Sequence, residues 1–156
     1  MSKNIFDNLS YACNWESTYT LDLFGKSVLT DITILGEEAD GIADIQLDSF
    51  NRFIDHLDLI NKALPQKILE YYQNERCELG YADEANELYP EITDAQQILN
   101  MIEIDSLIIP EPDIYDGRCV FLTFSCSWDD ELEPHGMGIR FINEEIDEIG
   151  HASIAF

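Results

Sequence analysis

Two apolar runs near the C-terminus, residues 120–126 (VFLTFSC) and 137–142 (MGIRFI), are rich in the branched and aromatic residues that suit a pleated, buried surface. They predict two neighbouring antiparallel strands at the middle of a sheet. The acidic stretch between them predicts a loop that carries Asp129, Asp130, Glu131, Glu133 and His135 to the surface. Upstream, residues 19–35 (YTLDLFGKSVLTDITIL) alternate as a hairpin, and glycine ahead of lysine at Gly25-Lys26 suits a type II′ turn. That turn would pair Leu23 with Val28, Leu21 with Thr30 and Tyr19 with Ile32. Thr20, Asp22, Asp31 and Thr33 would then share a wet face. A short strand is expected to precede it, around residues 9–15.

The period then changes. Leu47, Phe50, Ile54, Leu57, Leu64, Ile68 and Tyr71 recur at three- and four-residue steps, the spacing of a helical stripe. Pro65 suits a first turn and not a helix interior, so two helices or a kinked one should meet near residues 63–66. Residues 77–92 lack periodicity and predict a loop. Thr93 or Asp94 can cap a third helix over 95–101. Residues 107–109 open a strand that Pro110 and Pro112 break, which predicts an edge strand. Asp116-Gly117 predicts a tight type I′ hairpin that sets Ile114 opposite Cys119. Residues 143–145 should turn the chain once more into a last strand, 146–149. Runs of strands separated by a run of helices predict an α+β fold. It is expected as a single domain over residues 1–156, with an antiparallel sheet (an N-terminal hairpin plus a C-terminal meander) and helices packed on one face.

Composition sharpens this picture. The chain has 156 residues, 46% hydrophobic and 11% aromatic, with 32 acidic and 8 basic side chains and a net charge of −24. That hydrophobic content suffices for a core despite the charge. The sign disfavours nucleic acid, anionic membranes and acidic substrates, and it favours a basic protein or a cation. Residues 1–76 hold 13 acidic and 6 basic side chains, net −7, and residues 77–156 hold 19 and 2, net −17. Acidic surfaces also serve solubility, so charge alone leaves a binding face and a solubilising coat as alternatives. The four cysteines, Cys13, Cys77, Cys119 and Cys126, lack paired metal or redox spacing. No signal-peptide core or membrane-length apolar run is present, so a soluble, cytoplasmic protein with reduced thiols is expected.

Candidate chemistry is sparse. The loop after Trp128 groups carboxylates with His135, yet it lacks the spaced pattern of a calcium loop. Ser125, Cys126 and Ser127 lie in a strand pattern instead of a strand-to-helix elbow. His56 and His151 belong to no motif, and no glycine-rich phosphate loop is present. Trp15, Trp128, Tyr71 and Tyr72 are large aromatics that mark an interface if exposed and a core if buried. No catalytic residue, metal ligand or cofactor is therefore assigned. The expected binding residues are Trp128, Asp129, Asp130, Glu131, Glu133 and His135.

Five short pieces carry a family resemblance: Trp15-Glu16, LDLFGK at 21–26, ILEYY at 68–72, CSWD at 126–129 and HGMGIRF at 135–141. In this order and spacing the chain resembles a family of small acidic bacterial proteins known only as a domain of unknown function. That resemblance implies a cytoplasmic setting beside polymorphic or contact-dependent toxins, where such proteins act as immunity proteins. It implies no catalytic residue. The expectation is a non-catalytic protein-binding domain that meets a basic partner, under the resemblance a toxin, through an acidic face. The alternative is a small hydrolase or metal-dependent enzyme using surface carboxylates.

Overall fold

The structure, a computed structural model, describes residues 9–78, 89–128 and 136–155. Among these, seven strands form one sheet whose spatial order repeats chain order. They are β1 (Ser10–Ala12), β2 (Asn14–Leu23), β3 (Lys26–Ile34), β4 (Ile102–Ile109), β5 (Cys119–Cys126), β6 (Met137–Ile142) and β7 (Glu145–His151). Three helices, α1 (Asp44–Asp55), α2 (Leu57–Glu78) and α3 (Ala95–Leu99), all fall between β3 and β4. The helical excursion returns the chain to the starting end of the sheet, so β3 and β4 run parallel while the other neighbours are antiparallel. The expected α+β class holds, but the sheet is mixed. Its hairpin and meander are joined at one parallel seam.

Several local expectations are corrected. The β2–β3 turn is made by Phe24 (φ 55°) and Gly25 (φ 79°), and it pairs Leu23 with Lys26, Leu21 with Val28 and Tyr19 with Thr30. Moving the turn back one residue shifts every partner by two, which leaves each side chain on its expected face. Phe24 tolerates the left-handed backbone because its N–H donates to Asn61 Oδ1 at 2.8 Å and its ring stacks on Phe124. The helical break falls at His56 (φ −100°, ψ 7°), whose N–H reaches the carbonyls of Arg52 and Phe53. Pro65 instead lies buried well inside α2. β4 begins at Ile102 and sits between β3 and β5, not at an edge. It tolerates Pro110 and Pro112 because both lie past its last residue, where no ladder N–H is needed.

The expected tight turn at Asp116-Gly117 is replaced by a longer connection over 110–118 that leaves Ile114 59% exposed. Gly117 (φ 121°) serves a different purpose, since a Cβ there would come within 2.8 Å of Asn143 Oδ1. That same oxygen accepts the N–H of Arg118, and the N–H of Asn143 donates to the Arg118 carbonyl. The β6–β7 turn lies at Asn143 and Glu144 (φ 50° and 67°), close to its expected place.

The main core lies between one sheet face and the helices. Leu21, Ile32, Leu107, Leu122 and Ile139 meet Phe53, Leu64, Ile68 and Tyr72 there. Gln46, buried at the start of α1, ties the layers together. Its Nε2 donates to the carbonyls of Leu35 and Pro110, and its Oε1 accepts the N–H of Ala43. On the far sheet face a 3-10 turn, Ala152–Ala155, covers the β5–β7 side and the end of β4, where Ile108, Cys119 and Phe121 pack with Ala155.

Candidate functional site

Of the six expected binding residues, only Trp128 lies among the described ones, and it is core. Its side chain is 4% exposed and its ring lies 4.8 Å from that of Tyr72. The change of period at the end of β5 hides this, because Trp128 falls just past the strand and turns inward under α2. Tyr72 is itself held by its hydroxyl donating to the Pro90 carbonyl, and burial pushes its pKa up to about 12. Asp129, Asp130, Glu131, Glu133 and His135 lie outside the described residues. The connection they occupy departs from the end of β5 and returns at the start of β6. That is the sheet end where β4 begins and the Phe24-Gly25 turn stacks on Phe124.

The strand register brings together a second acidic group that sequence spacing left scattered. On the far face of β2–β4, Glu16, Asp22, Asp31, Glu103 and Asp105 are all exposed, interleaved with Thr18, Thr20 and Leu29. Leu29 is 69% exposed. No lysine or arginine among the described residues shares this half of the face. The cations of the second half of the chain lie elsewhere. Arg118 makes a two-point contact with Glu144 at 2.8 and 2.9 Å, and Arg140 meets Asp147 and Glu148 while standing over the Tyr115 ring. The hydrogen bond to Glu144 raises the Arg118 pKa. For Arg140, desolvation pulls the other way, but the bonds and charges of Asp147 and Glu148 prevail and raise it. The signal available in the sequence was the wet-face alternation Thr20, Asp22, Asp31. Only the crossover between β3 and β4 adds Glu103 and Asp105 to it.

Catalytic geometry is sparse. Ser125 Oγ donates to Asp105 at 2.8 to 2.9 Å, whereas His56 turns its Nδ1 to the Arg52 carbonyl and His151 ends β7. Cys119 is buried, which pushes its thiol up to about 12 and away from nucleophilic thiolate. Among the described residues no three His, Cys, Asp or Glu side chains gather to hold a metal, and no helix is long and apolar enough to cross a membrane.

Fold and surface together define an α+β domain with a mixed seven-stranded sheet, half of whose far face is open and acidic. The chain belongs to the DUF6985 family, a domain of unknown function whose model matches residues 5–156. No curated protein and no solved structure matches it significantly.

Proposed function

We propose that the chain is a non-catalytic protein-binding domain that captures a basic protein in the cytoplasm. The observation that carries this reading is the open half-face, where five carboxylates stand without a described cation on a chain of net charge −24. Complementary fields of this kind select a partner and speed its association. Asp129, Asp130, Glu131 and Glu133 lie outside the described residues and add four carboxylates to the sequence between β5 and β6. The family resemblance supplies the partner class, a toxin. An enzyme that attacks nucleic acid presents lysines and arginines to phosphates, and an acidic domain can occupy that surface in their place.

The experiment is a calorimetric titration of the protein with the product of the adjacent reading frame, at low and at moderate salt. Tight binding that weakens with salt is expected, together with weaker binding after neutralisation of Asp129, Asp130, Glu131 and Glu133. A neighbour that does not bind, or that binds without regard to salt and to those carboxylates, would overturn the immunity reading.

A further inference from the structure

The parallel seam is only half closed. β3 and β4 pair over residues 31–34 and 106–109, whereas 26–30 and 102–105 stay bonded to β2 and β5 and not to each other. The cause lies in β4, where the register shifts between Ile104 and Ser106. A bulge inserts an extra residue and bends the strand away from its neighbour. In a hairpin closed by a two-residue turn, Leu23 and Lys26 form the first hydrogen-bonded pair. By alternation, Ser27 and Leu29 direct their N–H and C=O groups away from β2 and into the gap. Ser27 and Leu29 are exposed, so these backbone groups form an open strand edge that water or an added strand can pair.

The gap is a cavity of about 320 Å³, within the range of sites that hold a ligand. Leu23, Phe24 and Val28 line one side, with Lys26 at its mouth, Ile104 and Phe124 line the other, and Gln96, Leu99 and Asn100 at α3 close it from the helix side. Asp31, Glu103 and Asp105 stand exposed beside it on the far face. The site thus offers strand edges, an apolar wall of Leu23, Val28, Ile104 and Phe124 interrupted by Lys26 and the amides of Gln96 and Asn100, and carboxylates on its far-face side.

We propose that this cleft grips an extended segment of a basic partner protein, which lies between β3 and β4 and adds to the strand edges; the proposal rests on the binding reading above. Main-chain hydrogen bonds to Ser27 and Leu29 supply affinity, and side chains at alternate positions supply specificity. Residues pointing to the helix side are apolar and enter the cavity. Those pointing to the far side are lysine or arginine and meet Asp31, Glu103 and Asp105.

The test uses a displayed library of random heptapeptides selected on the wild-type protein. Enriched peptides are then measured on two cleft-filling variants, Val28→Trp and Gln96→Trp, and on a neutralised one, Asp31→Asn/Glu103→Gln/Asp105→Asn. Gln96 is exposed on α3, so its substitution keeps the test valid if Val28→Trp fails to fold. Peptides that alternate apolar and basic residues, and that lose at least tenfold in affinity on both kinds of variant, are expected. Peptides that ignore cleft filling but are lost on neutralisation would overturn the cleft and leave the acidic face standing. Loss on cleft filling alone would keep the cleft as a peptide site and overturn the basic partner. No enrichment would overturn the cleft.

Discussion

The two halves of the far sheet face are made of similar strands and end in opposite states. Across β5–β7 the face is sheathed: Gly138 and Gly150 lie opposite each other, and a Cβ on Gly138 would come within 3.0 Å of Ile154. Bare backbone there lets the 3-10 turn lie directly on the sheet. Three acids at that end of the sheet are paired, Glu144 with Arg118 and Asp147 and Glu148 with Arg140. Across β2, β3 and the first part of β4 no described element covers the strands, and the carboxylates stand beside threonines and Leu29. The difference teaches that acidity in this molecule is not one uniform coat. Beside the closed half three acids, Glu144, Asp147 and Glu148, are paired with arginine, whereas the five of the open half have no such pair among the described residues.

Mutations in the closed half should break this comparison most severely. Phe121 is 1% exposed on the sheathed side, so Phe121→Ala should cost about 4 kcal/mol in a denaturant titration. Gly138→Val would push against the His151 carbonyl as well as Ile154 and should cost about 2 kcal/mol. Arg118→Ala strands the Glu144 carboxylate, 7% exposed, and should cost about 1 to 2 kcal/mol, with Glu144→Gln in the same background recovering part of it.

An alkaline titration sharpens the contrast. The thiol of Cys119 and the hydroxyl of Tyr72 both have pKa values raised to about 12 by burial. The folded state therefore holds these protons more tightly than the unfolded chain. The associated stability is complete below the unfolded pKa values and is lost as pH rises from about 9 toward 12. Cys119→Val should flatten the early part of that loss. In the open half, Leu29→Ser should change stability by no more than about 0.5 kcal/mol, since the side chain is exposed.

Much of the fold was legible where periodicity is local. The strand pair 120–126 and 137–142, the helical stripe and the Asp94 cap, whose carboxylate accepts the Gln96 N–H, all follow from spacing alone. The parallel seam was not legible. Which end of the sheet the chain re-enters depends on how the helices between β3 and β4 pack, and no local pattern encodes that. The hairpin register was missed because Gly25 permits either turn, and the choice falls to Phe24, which gains Asn61 and Phe124 as distant partners. Of the expected site, Trp128 was an interface anchor if exposed and core if buried, and it joined the binding residues because its neighbours are acidic; it is 4% exposed. The open acidic face was legible only in part, since the hairpin alternation placed Asp22 and Asp31 on one face but Glu103 and Asp105 join them only across the β3–β4 crossover.

The most direct test is a quantitative affinity capture from the cells that make the protein, at low salt. Wild type is compared with a variant carrying Asp22→Asn, Asp31→Asn, Glu103→Gln and Asp105→Asn, all exposed positions at which folding should persist. A basic protein enriched by wild type and lost from the variant is the predicted result; equal capture of every basic protein by both would contradict the account.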